Sequence, residues 1–139
     1  YTKSGSAPIK AAGQGETLIG IVFMHDAVAT TVAGFPVVTV APCEGTGYEI
    51  GSMSIIKGAR NMDEAKAFYD WALTKEAQDL ALQVNAFQVM SNVNAAKSDK
   101  APDLATLKLI DYDFKKYGSS DERKRLLSKW DTEVSTLPQ

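Results

Sequence analysis

Apolar residues form two continuous runs in the first third of the chain and recur at helical spacing in the rest. The runs are TLIGIVFM, residues 17–24, and FPVVTVAP, residues 35–42. Continuous β-rich runs of this length are typical of strands buried on both faces, as in a parallel sheet. The segment between them, DAVATTVAG, predicts a short helix that ends at Gly34. Strand, helix and strand in this order predict a crossover unit of an α/β sheet.

Two further elements flank this unit. Pro8 suits the first turn of a helix that follows the polar loop YTKSGSAP. Residues 48–58, YEIGSMSIIKG, alternate loosely between apolar and polar side chains and predict a third strand.

The residues after this strand predict helices. Asn61 and Glu64 match a capping box, and the helix that it opens is expected from about Met62 to Leu73. Thr74 is the expected cap of a second helix that continues to Val84. An α/β zone is thus followed by a helical zone.

Two elements are predicted nearer the C-terminus. Apolar residues after Pro102 indicate a helix or a turn. Ser119 and Glu122 open the last predicted helix, whose apolar stripe is formed by Leu126, Leu127, Trp130 and Val134.

Composition narrows the class of protein. The chain has 139 residues, 45% of them apolar, and a net charge of −2 with acidic and basic residues intermixed, so a single globular domain without a nucleic-acid partner is expected. With one cysteine and one histidine, the sequence predicts neither an intramolecular disulfide nor a zinc site. The apolar runs are far shorter than the roughly 20 residues of a membrane-spanning helix. Because the sequence does not begin with Met, it is interpreted as a processed product or a fragment.

The loop before the first predicted helix is a candidate anion site. Thr2, Ser4 and Ser6 supply hydroxyl donors around Gly5, and Lys3 lies between them. Backbone N–H groups at the start of a helix favour a bound anion. The alternative is an ordinary helix cap, which this octet alone favours.

Three further polar residues are candidates for ligand binding. His25 and Asp26 follow the first predicted strand, where ligands of open α/β sheets bind. Glu49 lies in the glycine-rich segment EGTGYEIG, whose glycines let the backbone bend towards a ligand. Each has a plain alternative: a core histidine, a helix-capping aspartate and a solvent-exposed glutamate.

A hydrolytic enzyme is a weaker interpretation. Ser4, His25 and Asp26 supply the residue types of a catalytic triad, but adjacent residues of a strand point to opposite faces, so Asp26 is badly placed to orient His25. The chain contains no G-x-S-x-G elbow, P-loop or dinucleotide fingerprint. No catalytic residue, metal or cofactor is therefore predicted.

The order of these motifs resembles a known family. The serine-glycine loop YTKSGSAP, the strand after GE, the segment PCEGTG, KGARN and the helix ending WALTKEAQ are together similar to the later part of extracytoplasmic solute-binding proteins of bacterial ABC importers, in the group named after ferric-iron binders. The resemblance runs from Tyr1 to about Trp130.

The resemblance implies part of a type 2 periplasmic-binding-protein fold of the α/β class. Residues 1–45 would complete the second lobe, residues 46–60 would cross the hinge, and residues 61–139 would form helices that return across both lobes. Gly47, Tyr48 and Gly51 would lie at the hinge. The missing N-terminal part of the same protein, a membrane permease and a periplasmic location are implied as well.

The resemblance also bears on the ligand. Ferric binders of the group carry two adjacent tyrosines after the strand equivalent to GIVFM, where this chain has His25, Asp26 and Ala27. The set is more similar to the hexose-phosphate-binding branch, in which the loop of Thr2, Ser4, Gly5 and Ser6 would hold phosphate while His25, Asp26 and Glu49 bind sugar hydroxyls. Ferric iron, organophosphonates and other phosphate esters remain alternatives for the small anionic ligand. A hydrolase and a helical interaction module are the remaining hypotheses.

Overall fold

Within residues 2–137, which the computed structural model describes, the regular elements are helices. The described residues exclude Tyr1, Pro138 and Gln139. The first and the last of the three predicted segments, residues 1–45 and 61–139, therefore each extend beyond the described residues at one end. The elements, in chain order, are α1 (Ala7–Gly13), α2 (Met24–Val32), α3 (Met62–Ala72), α4 (Lys75–Gln83), α5 (Phe114–Tyr117), α6 (Ser120–Lys129) and a π-helical turn over Trp130–Val134. In this part of the chain, no helix is long and apolar enough to cross a membrane.

The predicted strands do not form among the described residues. Segments 17–23, 35–42 and 48–56 have no regular secondary structure, and the β-pairing is limited to one isolated parallel bridge between Thr46 and Leu109. A strand requires a ladder of hydrogen bonds to a neighbouring strand, and no segment of residues 2–137 forms such a ladder with these runs. Their apolar side chains are exposed: Leu18 by 101%, Ile21 by 91% and Val38 by 87%.

Most helix predictions are confirmed, because their signals are local. α1 carries Pro8 in its first turn. The Thr74 hydroxyl accepts a hydrogen bond from the Ala77 N–H at 3.2 Å and caps α4, and the Ser119 hydroxyl accepts one from the Glu122 N–H at 3.2 Å and caps α6. Residues 104–106 form the turn expected after Pro102.

Two local predictions are wrong. Asn61 precedes α3, but its side chain makes no capping hydrogen bond, since its backbone at φ −109° and ψ 66° departs from the extended conformation of a cap. The helix after the first apolar run begins at Met24. His25 and Asp26 therefore lie in the first turn of α2 and not at the end of a strand.

Within residues 2–137, the buried apolar residues fall into two small groups. Ile9 of α1 and Ala27 of α2 are 6% and 5% exposed, and the two helices pack against each other. Phe87 and Ala95 are 5% and 7% exposed in the segment after α4. The Gln78 side chain donates to the Ser91 hydroxyl at 2.8 Å and accepts from the Asn92 N–H at 2.8 Å, and these two hydrogen bonds hold that segment against α4.

The backbone at Gly20 passes close to the first turn of α1. At Gly20, a Cβ atom would lie 2.7 Å from the Pro8 carbonyl oxygen, so a side chain there requires the backbone to move. The first turn of α1 and the residues that lead into α2 thus lie side by side.

Candidate functional site

The serine-glycine loop folds on itself before α1. The Thr2 hydroxyl donates to the Ser4 carbonyl oxygen at 2.9 Å, and the Ser4 and Ser6 hydroxyl oxygens lie 3.4 Å apart. Ser6 is the N-cap residue, yet its side chain makes no capping hydrogen bond. The ordinary helix cap is therefore absent here, and the two serine hydroxyls stay near each other at the surface.

Phe23 joins this loop to the start of α2. A Cβ atom at Gly5 would lie 3.8 Å from Phe23 Cε2, an ordinary van der Waals contact. The Phe23 ring in turn stacks on the His25 imidazole with ring centroids 5.5 Å apart and planes 13° apart. The structure thus brings the loop and His25 to one region, and Phe23 is a residue of this region that sequence reasoning missed.

His25 and Asp26 lie beside each other in the first turn of α2. His25 Nε2 is 3.6 Å from Asp26 Oδ1, and each side chain is 29% exposed. At this distance the two groups interact as charges when the imidazole is protonated, but they do not form a direct hydrogen bond. An imidazole and a carboxylate at the surface offer a ligand hydroxyl both a donor and an acceptor.

Glu49 is the remaining residue predicted to bind the ligand. Its side chain is exposed and makes no hydrogen bond or ion pair within residues 2–137. Of the predicted hinge residues, Gly51 could carry a Cβ with no atom of residues 2–137 within 4 Å of it, and a Cβ at Gly47 would lie 4.0 Å from Ile110 Cδ1. Within residues 2–137, the contacts described above join the loop to His25 and Asp26, and they do not include Glu49.

Tyr48 makes contacts that sequence reasoning missed. Its ring lies 6.4 Å from the Tyr112 ring and 5.8 Å from the Phe114 ring, both in edge-on geometry. The Thr46 N–H donates to the Lys108 carbonyl oxygen at 2.9 Å, and the Ile110 N–H donates to the Thr46 carbonyl oxygen at 3.0 Å. No short-range pattern signals a contact between segments some 60 residues apart, although the aromatic residues themselves are visible in the sequence.

The carboxyl groups with lowered pKa lie outside the candidate residues. Hydrogen bonds from Lys75 and from the Ala96 N–H lower the pKa of Asp79, and the hydrogen bond with Arg125 lowers that of Glu122. The pKa of Glu44 is lowered by a backbone hydrogen bond and by the Cys43 thiol. Within residues 2–137, no group of three or more His, Cys, Asp or Glu side chains could hold a metal ion.

Comparison with known proteins gives the family. Residues 2–116 match the family described as bacterial extracellular solute-binding protein, and the chain belongs to this family. A solved relative, the periplasmic binding protein AfuA from Actinobacillus pleuropneumoniae with exogenous fructose 6-phosphate bound, is 54% identical with a TM-score of 0.91 over 99% of this chain and 43% of its own. The periplasmic binding protein P5PA is 40% identical with a TM-score of 0.82 over 91% of this chain and 41% of its own.

An uncharacterised protein of Haemophilus influenzae is 51% identical over 135 residues, which is 96% of this chain and 39% of that protein. The chain thus spans about two fifths of the length of these relatives. The fold is part of a periplasmic-binding-protein fold, and both solved relatives are named as binding proteins.

Proposed function

We propose that this chain is part of the solute-binding component of an ABC importer and that its solute is a sugar phosphate. The observation that carries the proposal is the 54% identity, over 99% of the chain, to a protein solved with fructose 6-phosphate bound. The family and the periplasmic naming of both solved relatives support an extracytoplasmic location and a membrane permease as partner.

The described geometry supports a division of labour around the ligand. The paired hydroxyls of Ser4 and Ser6, with Thr2 and Gly5 in the same loop, would bind the phosphate. His25 and Asp26, joined to that loop through Phe23, would bind sugar hydroxyls as donor and acceptor.

Glu49 would complete the site from the hinge. In this proposal residues 1–45 complete the second lobe, residues 46–60 cross the hinge and residues 61–139 return across both lobes. The exposed Glu49 carboxylate makes no hydrogen bond or ion pair within residues 2–137, so it is available to a ligand hydroxyl. Because only a closed cleft offers contacts from both lobes, ligand would shift an open-closed equilibrium towards the form that the permease recognises.

Calorimetric titration of the full-length protein tests the proposal. Fructose 6-phosphate and glucose 6-phosphate are compared with inorganic phosphate and ferric citrate. We expect a sugar phosphate to bind and ferric citrate not to. Binding of ferric citrate alone, or of inorganic phosphate with the same affinity as the sugar phosphates, would contradict the assignment.

Isosteric variants test the residues. Asp26→Asn and Glu49→Gln each replace a charged acceptor, and a hydrogen bond with a charged partner contributes about 1.5–3 kcal/mol, so affinity should fall roughly 10- to 100-fold. Glu16→Gln is the matched control, because Glu16 is an exposed carboxylate just after α1 whose side chain makes no hydrogen bond or ion pair within residues 2–137. Equal affinities of all three variants would refute the site while leaving the family intact.

A further inference from the structure

The residues just before Glu49 pack against a distant segment of the chain, residues 108–114. Thr46 pairs with Leu109 in a parallel bridge, held by hydrogen bonds of 2.9 and 3.0 Å. Gly45 has a φ of +126°, and a Cβ atom there would lie 3.3 Å from Ile110 Cγ2. Both the backbone conformation and the lack of space favour glycine at position 45, so the two segments are closely packed here.

Four rings extend the contact beyond the bridge. We call Tyr48, Tyr112, Phe114 and Tyr117 the aromatic cluster. Tyr112 lies 5.0 Å from Phe114 and 5.3 Å from Tyr117 between ring centroids, and Tyr48 meets Tyr112 and Phe114 edge-on. These distances lie in the range in which aromatic pairs attract beyond their area burial.

Glu49 directly follows the one member of the cluster that comes from its own segment. Its carboxylate makes no hydrogen bond or ion pair within residues 2–137, so nothing at the end of the side chain fixes its position. The backbone before it is fixed twice, at Thr46 by the bridge and at Tyr48 by the rings. The backbone that leads to Glu49 is thus held by residues about 60 positions later in the chain.

From this arrangement we propose that Tyr112 and Phe114 are positioning residues for Glu49. They hold Tyr48, and through it they set where the Glu49 carboxylate meets the ligand. The inference rests on the proposed function, in which Glu49 binds a sugar hydroxyl. It adds the segment 108–114 to the hinge region, which sequence reasoning confined to residues 46–60.

The first experiment measures, without any ligand, how firmly the bridge between Thr46 and Leu109 is held. Residue-level amide hydrogen exchange is measured on the full-length protein, its Tyr112→Leu and Phe114→Leu variants, and Tyr112→Phe as the matched control that keeps the ring. We expect the Thr46 and Ile110 amides to exchange at least about tenfold faster in the Leu variants, with α4 amides unchanged and Tyr112→Phe like the unchanged protein. Unchanged protection at Thr46 and Ile110 in both Leu variants would overturn the proposal.

The second experiment asks whether the rings act through Glu49. Fructose 6-phosphate affinity is measured for Tyr112→Leu, Glu49→Gln and the double variant. Since an aromatic pair of this kind is of modest strength, Tyr112→Leu should weaken binding by about three- to tenfold, while inorganic phosphate binding stays unchanged. In the Glu49→Gln background the same change should cause no further loss, because the interaction that it disturbs is already absent. Equal losses in both backgrounds would show a general structural effect and overturn the positioning role.

The two experiments separate the proposals. If the unchanged full-length protein binds neither fructose 6-phosphate nor glucose 6-phosphate, the proposed function fails, and the Glu49 role fails with it. The exchange measurement then still decides whether the rings hold the segment 45–48 in place. If the protein binds and Tyr112→Leu behaves as Tyr112→Phe does, the proposed function stands and the positioning role falls.

Discussion

The hydroxyl of Thr74 serves two backbone groups at the junction of α3 and α4. It accepts from the Ala77 N–H at 3.2 Å and donates to the Trp71 carbonyl oxygen at 2.7 Å. Replacing it with alanine leaves a helix-terminal N–H without its partner, so Thr74→Ala should lower the free energy of unfolding by about 1 kcal/mol. Urea denaturation of the full-length protein measures the change. Thr74→Ser keeps the hydroxyl and should lose less than half as much; equal losses for both variants would assign the effect to the methyl group.

Asp79 is expected to make the stability of the protein depend on pH. Its hydrogen bond with Lys75 and the one that it accepts from the Ala96 N–H at 2.7 Å stabilise the carboxylate and lower its pKa in the folded protein. A carboxyl group whose folded pKa is depressed contributes stability above its ordinary pKa of 3.8, and this contribution is lost as the pH falls through the folded value. Asp79→Asn should therefore destabilise the protein at pH 7 and have a smaller effect below the ordinary pKa.

Urea midpoints at neutral and at acidic pH measure this difference. Asparagine keeps an oxygen that can accept from the Ala96 N–H but cannot pair with the Lys75 ammonium. Glu64→Gln on α3 is the control, since the Glu64 side chain makes no hydrogen bond or ion pair within residues 2–137. A difference between Asp79→Asn and the unchanged protein that does not vary with pH would contradict the ion-pair account.

At the scale of elements, the packing of α1 against the segment before α2 requires a glycine at position 20. A Cβ at Gly20 would lie 2.7 Å from the Pro8 carbonyl oxygen, and backbone atoms cannot move aside as a side chain can. Gly20→Ala should therefore lower the free energy of unfolding by about 1–3 kcal/mol, as overpacking does in other proteins. Denaturant unfolding measures it.

Gly51→Ala is the matched control for this change. A Cβ at Gly51 would meet no atom of residues 2–137 within 4 Å, and the Gly51 backbone does not lie in the left-handed region. The substitution should be neutral or slightly stabilising, by up to about 1 kcal/mol, because alanine restricts the unfolded chain. Equal destabilisation by both alanines would show that the contact with Pro8 is not the cause.

The elements differ in how far the sequence predicts them. Thr74 and Ser119 predict the starts of α4 and α6, because a cap and its helix are neighbours in the chain. Both residues have the extended backbone of a cap. Asn61 carries the same signature but a different backbone conformation, which a residue pattern does not reveal. The strands were predicted from apolar runs, but a strand also needs a partner, and that partner is not encoded in the run itself.

The candidate site shows the same limit. The loop at Ser4 and the pair at His25 and Asp26 are recognisable as polar residues next to elements, yet their connection runs through Phe23, which reads as an ordinary apolar residue of the run. The packing of the residues before Glu49 is harder still to predict from the sequence, because Tyr48 contacts Tyr112 and Phe114 across some 60 residues. Contacts of this range follow from the fold and not from local propensity.

At the scale of the whole molecule, the exposed apolar segments point to chain that lies outside residues 2–137. Leu18, Ile21 and Val38 are exposed by 101%, 91% and 87%. Burying a side chain of this kind contributes about 1.5–3 kcal/mol, so a stable protein rarely leaves a whole run in water. The chain spans 43% of the AfuA relative and 41% of P5PA, and in a protein of their length the remaining residues would pair with these segments as strands.

Hydrogen exchange of a protein of the relatives' full length, compared with the 139-residue chain alone, tests this pairing. Amides of residues 18–22 and 37–40 should exchange at least about a hundredfold more slowly in the longer protein, because ladder hydrogen bonds would protect them there and not in the shorter chain. Amides in the middle of α4 are the internal reference, since their hydrogen bonds lie within one helix, and they should change far less. Equal exchange at residues 18–22 and 37–40 in the two chains would mean that these runs are not strands of a sheet, and the assignment of residues 1–45 to a lobe would fall with them.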